Sequence, residues 1–301
     1  MNNNHAGTKV LVAGATGYLG KFVAHAFKAR GYWVRVLTRR MRRLERTGPF
    51  TAPAIMAGDM DDIFVGELTD PASLKGLMDD IDIVFSSVGI SRQRDKLSFE
   101  QVDYELNRLL IELAEQAGVK KFVYVSMLGE DQIADLAITR AHEKVVERLK
   151  SSTMDFCVVR PSGYFSDMGV LLDMARRGRV YLVGKGNNNM NPIHGRDLAE
   201  VCVDAAEGTE KQVEAGGPDI MTQREAALLA FEVVGKPAKL TVIPLWLAFI
   251  VARLIRLVSR QFGDMAEFIV TAGEVEGVGP KRGTSHLRDY FQGLLRGDPD
   301  P

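Results

Sequence analysis

The 301-residue chain has little of what disulfide-stabilised, metal-binding or membrane-spanning proteins require. It contains only two cysteines, Cys157 and Cys202, and both lie in apolar runs, which predicts reduced thiols in the core rather than a disulfide or a metal site. The formal net charge of −1 gives no overall attraction to nucleic acid, so no nucleic-acid partner is expected. The uncharged apolar run at residues 240–252 is shorter than the roughly 20 residues that cross a bilayer. We therefore expect a cytoplasmic protein without a bound metal.

The length and apolar content suit one large domain, or one domain with an added lobe. Hydrophobic residues make up 46% of the chain, which is ample for a sizeable core. Residues 1–5 are polar and the first apolar run begins at residue 9, so we expect no signal peptide. The sequence carries no signal for a particular oligomeric state.

Residues 14–20, with the sequence GATGYLG, form the most informative stretch. They follow an apolar run at 9–13 that predicts a buried strand, and they precede residues 21–30, whose apolar side chains recur at helical spacing. Glycines at such a junction allow a tight turn, a close approach of the backbone to a pyrophosphate and free N–H groups at the helix start. The motif therefore predicts a dinucleotide site. Its candidate binding residues are Gly14, Thr16, Gly17, Tyr18, Leu19 and Gly20.

The end of the second predicted strand, residues 32–37, indicates which dinucleotide is bound. Arg39 lies 25 residues after Gly14, where a Rossmann fold places the group that contacts the adenosine ribose. An acidic residue there favours a free 2′-hydroxyl, whereas Arg39 and Arg40 favour a 2′-phosphate. We therefore predict NADPH as the cofactor, with NADH less favoured. The next arginines, at 42, 43 and 46, either extend this site or form a solvated basic helix.

The rest of the chain alternates predicted strands with predicted helices. Such alternation is typical of an α/β fold with a doubly wound parallel sheet. The later predicted strands are residues 63–68, 81–89, 121–126, 155–160 and 180–183. The predicted helices are residues 72–78, 99–117, 139–150, 171–178, 198–206 and 222–234.

Taken together, these residues resemble the short-chain dehydrogenase/reductase superfamily, in its extended and atypical branches, which include NmrA-like and epimerase-like proteins. The resemblance covers about two thirds of the chain. It rests on GATGYLG at 14–20, VGELTDPASL at 65–74, VDYELNRLLIELAEQAGVKKFVYVS at 102–126, HEKVVERLK at 142–150, VVRPSGYF at 158–165 and NPIHGRDLAEV at 191–201. It implies an NAD(P)-binding Rossmann domain over residues 1–165 and a small, mostly helical substrate lobe over 166–301. Residues 191–206 would pack back on the Rossmann domain.

The resemblance also assigns further cofactor contacts. Glu67 and Leu68 would lie near the adenine, where most relatives have aspartate. The segment from Pro161 to Tyr164 would run along the nicotinamide. Two more groups, Ser87 with Val88 at the ribose and Ser126 at the end of the fifth strand, complete the predicted set.

The catalytic residues depart from the usual pattern of the superfamily. Most members carry a tyrosine four residues before a helix lysine, and the lysine holds the ribose and lowers the tyrosine pKa. Lys144 matches the lysine, but Arg140 stands at the tyrosine position and Met127 at that of the partner serine. This loss is typical of the atypical branch, which includes reductases that keep only the lysine, together with redox sensors and assembly factors. Lys144 is therefore the predicted catalytic and ribose-binding residue, unless it is simply an exposed lysine.

Four other side chains could take part in chemistry. His142 and Tyr164 are alternative proton donors. His194 and Asp197 could form an acid–base or metal pair, although the resemblance makes their segment a structural turn and helix cap.

Residues 240–260 allow three interpretations. Arg253, Arg256 and Arg260 would form a cationic stripe opposite an apolar face on a helix. Residues 243–260 could lie at a membrane surface, form the wall of a pocket for a lipophilic compound, or be a buried helix of the small lobe. Each interpretation favours a hydrophobic substrate over a sugar nucleotide.

Two functional classes follow from the sequence. The first is an NADPH-dependent reductase that transfers hydride to a carbonyl or conjugated carbon of a hydrophobic aromatic, quinone-like or isoprenoid compound. The second is a non-catalytic NADPH-binding sensor, subunit or assembly factor of a membrane-associated complex. The missing tyrosine favours the second class, and the retained Lys144 favours the first.

Overall fold

The computed structural model describes residues 5, 7–47, 52–89 and 97–297, so the polar start at 1–4 lies outside the described residues. Seven of the described strands form one parallel sheet in the order β3-β2-β1-β4-β5-β6-β9, which confirms the predicted doubly wound α/β fold. The described strands are β1 (Lys9–Ala13), β2 (Trp33–Thr38), β3 (Asp62–Val65), β4 (Ile83–Ser86), β5 (Lys121–Val125), β6 (Asp155–Pro161), β7 (Val180–Val183), β8 (Asn189–Met190), β9 (Gln212–Ala215), β10 (Met221–Thr222) and β11 (Leu240–Ile243).

Helices cover both faces of the main sheet and also make up most of the C-terminal part of the chain. The described α-helices are α1 (Tyr18–Ala29), α2 (Met41–Leu44), α3 (Leu106–Gln116), α4 (Ala137–Lys150), α5 (Phe165–Arg176), α6 (Gly195–Glu207), α7 (Gln223–Val234), α8 (Leu245–Val258), α9 (Arg260–Ala272) and α10 (Leu287–Arg296). None of the described helices is long and apolar enough to cross a membrane.

Side-chain alternation along the strands explains the two main cores. On β1, Val10 and Val12 face α1 and α6, whereas Leu11 faces α3 and α4. Cys157 and Cys202 are both buried in the first of these cores as free thiols. Burial raises the pKa of both thiols, which keeps them protonated and unreactive.

Part of the chain beyond residue 165 lies within the layers of the main sheet. Helix α6 packs on α1, and β9 pairs in parallel with β6. Helices α5, α7 and α10 surround a separate core that contains Phe165, Phe231 and Phe291. Two small sheets, β7 with β11 and β8 with β10, accompany this core.

Several predicted element boundaries are wrong. The third strand ends at Val65, and the helix predicted at 72–78 is only a 3₁₀ turn over Pro71–Leu74, followed by Gly76 at a φ of +83°. The helix predicted at 99–117 begins as a π-helical turn, Glu100–Glu105, before α3. Whether a segment forms an α-helix, a 3₁₀ turn or a π-helical turn depends on contacts with distant parts of the chain. The local sequence pattern does not contain that information.

Candidate functional site

The glycine turn between β1 and α1 forms a cradle closed by β4. Gly14 has a φ of +92°, and a Cβ atom there would lie 2.7 Å from the Ser87 hydroxyl oxygen. A side chain at Gly20 would overlap the carbonyl oxygen of Gly14. The Gly17 N–H donates to that same carbonyl at 2.9 Å, which closes the turn. Only glycine fits the two outer positions, so the turn and α1 approach each other as closely as a bound pyrophosphate requires.

The N-terminus of α1 has the features of an anion site. Within the described chain, no side chain caps this helix and its first turn contains no acidic residue. The Gly17 N–H is used within the turn, but the backbone N–H groups of the first turn of α1 point towards the cradle, and the helix dipole favours negative charge there. This donor set fits a dinucleotide pyrophosphate.

Two residues of the motif have structural contacts as well. Leu19 is buried in the core. The Tyr18 hydroxyl accepts a hydrogen bond of 3.0 Å from the Gly195 N–H, at the start of α6. Tyr18 therefore fixes α6 against the glycine turn.

The residues predicted to bind the adenosine part of the dinucleotide lie just after the C-terminal ends of β2 and β3. Arg39 and Glu67 face each other there, with 3.5 Å between Nη1 and Oε1. Both side chains are partly exposed, and Leu68 follows directly. The Arg40 N–H donates to the Thr38 hydroxyl at 3.1 Å, and its side chain is exposed at the start of α2. The structure brings the predicted adenosine residues together at one sheet edge.

Lys21 links this basic segment to the glycine turn, a role that the sequence analysis missed. Its side chain is buried, and Nζ donates to the carbonyl oxygens of Leu44 at 2.5 Å and Arg46 at 3.0 Å. Lys21 thus holds α2, and with it the arginines, beside α1. Burial lowers the pKa of Lys21 to about 8.

This lowered pKa predicts a pH effect on stability. Because the unfolded chain has the higher lysine pKa of 10.5, it binds more protons than the folded chain between pH 8 and 10.5. The free energy of unfolding contributed by Lys21 should therefore rise across this range, by about 1–3 kcal/mol. Urea denaturation of wild type and Lys21→Met should show a stability difference that grows with pH. A constant difference would contradict the assignment.

The loop after β4 is held by Asn107 from α3. The Ser86 hydroxyl donates to Asn107 Oδ1 at 2.6 Å, and Asn107 Nδ2 donates to the Val88 carbonyl at 2.9 Å. Ser87 lies between these contacts and against Gly14. The predicted ribose residues, Ser87 and Val88, therefore stand in a fixed loop beside the glycine turn.

Lys144 lies on α4, facing the π-helical turn. Its Nζ is 2.6 Å from Glu100 Oε1 and 5.4 Å from the centre of the Tyr104 ring. About half of each side chain of the ion pair is exposed. Arg140, at the position of the missing tyrosine, donates to the Asp135 carbonyl. Lys144 is thus a half-exposed amine on α4 that is held by an ion pair at the surface.

Ser126 and its neighbours form a buried polar network. The Ser126 hydroxyl accepts from Arg160 Nη1 at 3.1 Å and lies 3.3 Å from Glu143 Oε1. Arg160 is almost fully buried and makes two hydrogen bonds to the Glu143 carboxylate, of 2.8 and 3.0 Å. This bidentate pair joins β6 to α4. Its two side chains also provide the hydrogen-bond partners of the Ser126 hydroxyl.

The predicted nicotinamide segment begins at Pro161, the last residue of β6. Tyr164 packs its ring on Tyr18, with 6.2 Å between ring centres. Burial raises the pKa of the Tyr164 phenol, which makes it a poor proton donor. Tyr164 therefore has the contacts of a structural residue.

A second network of hydrogen-bonded side chains lies beneath the loop after β4. The Tyr124 hydroxyl and His142 Nδ1 are 2.8 Å apart, and His142 Nε2 is 3.3 Å from Asp103 Oδ1. A carboxylate only accepts, so Nε2–H faces Asp103 and Nδ1 accepts from Tyr124. Burial and the Asp103 and Glu143 carboxylates raise the pKa of the Tyr124 phenol. With both ring nitrogens occupied, His142 positions α4 rather than reaching a substrate.

The pair formed by His194 and Asp197 is structural. His194 Nδ1 accepts from the Arg196 N–H at 3.1 Å and caps α6. The Asp197 carboxylate accepts from the backbone N–H groups of Thr284 and Ser285. Each of the two side chains thus accepts hydrogen bonds from backbone N–H groups and stabilises the local fold.

The surroundings of Met127 are apolar. Met127 stands where the superfamily usually has its catalytic serine, and it packs in a cluster with Met265 and Phe268 of α9 and Phe99 and Ile138. Apolar side chains therefore surround the position of the missing serine.

Comparison with known proteins agrees with this geometry. The sequence model of the NAD(P)H-binding family matches residues 14–209. The chain is 26% identical over 260 residues to photosystem II assembly factor Ycf39 of Trieres chinensis, covering 84% of this chain and 76% of that protein. It is also 26% identical over 289 residues to chloroplastic divinyl chlorophyllide a 8-vinyl-reductase of Arabidopsis thaliana, covering 89% and 68%.

A solved structure shows the same fold over nearly the whole chain. It is the NADPH-dependent quinone oxidoreductase QOR2 of Escherichia coli, complexed with NADPH. The TM-score is 0.72 at 16% identity, covering 95% of this chain and 99% of that one. The family match shows that the chain belongs to the NAD(P)H-binding family, and the fold and the glycine cradle fit the atypical branch of the short-chain dehydrogenase/reductase superfamily.

Proposed function

We propose that this protein is an NADPH-dependent reductase that transfers hydride to a carbonyl or conjugated carbon of a hydrophobic aromatic, quinone-like or isoprenoid compound. The observation that carries the proposal is an accessible amine on α4 that lies beside the edge of an apolar cluster. Lys144 Nζ lies 5.4 Å from the centre of the Tyr104 ring, and Tyr104 packs against the same buried cluster as Met127. Two of the similar proteins are named as a vinyl reductase and a quinone oxidoreductase, which supports this substrate class.

The chain's own residues have separate tasks in this proposal. The bound dinucleotide supplies a hydride ion to the acceptor carbon. The N–H groups at the start of α1 hold the pyrophosphate, and Ser87 and Val88 flank the ribose. Lys144 leaves Glu100, binds the ribose hydroxyls and places positive charge beside the substrate oxygen or conjugated system as negative charge develops there. The proton that completes the reduction comes from the Lys144 ammonium or from water.

Residues around Lys144 hold α4 in place. Asp103 and Tyr124 hold His142, and Arg160 holds Glu143, so the two residues before Lys144 are both anchored to other elements. A lysine on a fixed backbone needs to adjust only its own side chain to reach a ligand.

The arginines at the predicted adenosine-binding end of the site, Arg39 and Arg40, favour NADPH over NADH. Arg39→Ala should weaken NADPH binding about tenfold, because a charge-assisted contact to the 2′-phosphate is lost, and should leave NADH binding within about twofold. Calorimetric titration with each dinucleotide measures both values. Arg176→Ala, at an exposed arginine of α5, is the matched control and should change neither. Equal weakening of both dinucleotides by Arg39→Ala would contradict the assignment.

One observation favours the second candidate, a non-catalytic NADPH-binding assembly factor. Lys144 is paired with Glu100, and neither Arg140 nor Met127 supplies a hydroxyl to polarise a substrate. Ycf39 is named as an assembly factor, which agrees with such a role.

The two candidates differ in the fate of NADPH. Purified protein should oxidise NADPH, followed at the nicotinamide absorbance band, with at least one member of a panel of lipophilic quinones, enones and aromatic ketones. Tight NADPH binding without turnover across the panel would instead favour the assembly factor.

A further inference from the structure

Helices α8 and α9 form a hairpin, residues 245–272, whose outer surface is apolar and exposed. At the junction of the two helices, Leu257 and Val258 are 83% and 91% exposed. Trp246 is 65% exposed, and Phe262 is 61% exposed. Ile250 and Leu254 lie between them at four-residue spacing, so the exposed side chains form a continuous helical stripe. Exposed apolar surface of this extent marks an interaction site.

The hairpin holds this surface in a fixed position. Gly263 lies so close to Arg256 that no Cβ atom fits between the two helices. On its inner side α9 packs Met265 and Phe268 into the cluster that contains Met127, whereas α8 buries only Ala248 and Ala252. The interpretation of residues 243–260 as a buried helix is therefore wrong. The large apolar side chains of α8 point outward from a packed hairpin.

The shape of the surface suits a bilayer better than a protein groove. Its most exposed apolar residues, Leu257 and Val258, lie at a convex corner, and a protein partner would need a matching cavity. The headgroup–acyl boundary of a bilayer accommodates a protruding apolar corner, and tryptophan is favoured there. The 14 residues of α8 extend about 21 Å, less than the ~30 Å hydrocarbon core, so the helix lies in the interface plane.

Charge favours an anionic surface. Residues 233–263 contain no aspartate or glutamate and five lysines or arginines, in a chain whose net charge is −1. Arg256 pairs with Asp264 and Glu267, and Arg260 lies 3.9 Å from Asp264. Arg253 is exposed and has no ion-pair partner among the described residues. Its charge is free to meet a lipid phosphate.

From these observations we infer that the α8–α9 hairpin docks on the surface of an anionic phospholipid bilayer, with α8 in the membrane plane. The apolar stripe enters the headgroup–acyl boundary, and Arg253 contacts lipid phosphates. This docking is independent of reductase activity, since it involves none of the predicted cofactor or catalytic residues.

Vesicle flotation of the full-length protein tests the proposal without any turnover assay. The probes are vesicles of phosphatidylcholine alone and of phosphatidylcholine mixed with phosphatidylglycerol. We expect binding to the mixed vesicles, weakened by salt, and little binding to the neutral ones. Val258→Asp should reduce binding at least tenfold, whereas Val170→Asp, the same change at an exposed valine of α5, should have no effect. Arg253→Gln should reduce binding about fivefold, and Arg253→Lys should retain it.

Three results would overturn the inference. The first is equal vesicle binding by wild type and Val258→Asp, and the second is no binding by wild type. The third is a dimer in sedimentation equilibrium that Val258→Asp converts to a monomer, which would assign the surface to a second copy of this chain. Circular dichroism of each variant shows whether the fold is retained, and the exposure of Val258 predicts that it is.

Discussion

Gly14→Ala is expected to lower the affinity for NADPH at least about a hundredfold. Gly14 adopts a φ of +92°, which costs an alanine about 1–3 kcal/mol, and the new Cβ would press on the Ser87 hydroxyl at 2.7 Å. Ser87 must then move away from the glycine turn, which opens the cradle where the pyrophosphate and ribose are expected. Calorimetric titration of the folded variant with NADPH measures the effect.

Gly58→Ala is the matched control. Gly58 has a similar φ of +96°, but no described atom lies within 4 Å of the position of its Cβ. The backbone strain is therefore present without the collision. Both variants should lose stability in thermal denaturation, Gly14→Ala at least as much as Gly58→Ala, and only Gly14→Ala should lose NADPH binding. Binding by Gly14→Ala within about threefold of wild type would show that this turn does not hold the cofactor.

Lys144→Ala is expected to reduce reductase turnover by about a hundredfold or more. In the proposed mechanism it removes the cationic group beside the reacting atoms, and general acid and electrostatic contributions of one group are typically of that size. The half-exposed pair with Glu100 contributes less than about 1 kcal/mol to stability, so the variant should fold normally. Steady-state rates of NADPH oxidation with the best substrate of the panel give the comparison.

Lys150→Ala is its control. Lys150 is also an exposed lysine of α4 with one glutamate partner, Glu147, at 2.8 Å. Its removal should leave turnover unchanged. Turnover that survives in Lys144→Ala, or falls equally in both variants, would remove Lys144 from the catalytic machinery.

The sequence predicts the parts of the site that depend on local conformation. The glycine turn, the strand before it and the arginines at the end of β2 follow from short motifs whose geometry is set within a few residues. The doubly wound sheet follows from regular alternation of strands and helices, and the structure confirms it.

Contacts between elements that are distant in sequence could not be predicted from the sequence. Asp103, Tyr124 and His142 come from three elements, and only the packing of the π-helical turn, β5 and α4 in space brings them together. Likewise, the Lys21 side chain is buried because α2 folds over it, which no spacing in the sequence indicates. The partner of Lys144 is Glu100, 44 residues earlier, so spacing identified the lysine but not its ion pair.

The run at residues 240–260 shows a further limit of pattern analysis. Its first four residues form β11, which pairs with β7, and Pro244 precedes α8. A short apolar run satisfies strand and helix equally well, so periodicity does not separate them. Whether the apolar face of α8 is buried or exposed depends on the packing of α9.

The most direct test of the reductase proposal is deuterium transfer from NADPH labelled at C4 of the nicotinamide. Wild-type protein, labelled NADPH and the active panel substrate are incubated together, and the product is analysed by mass spectrometry. A product heavier by one deuterium, formed by wild type and not by Lys144→Ala, is the predicted result. A ketone or enone product without carbon-bound deuterium, or bound NADPH that remains unoxidised with every substrate of the panel, would contradict hydride transfer by this protein.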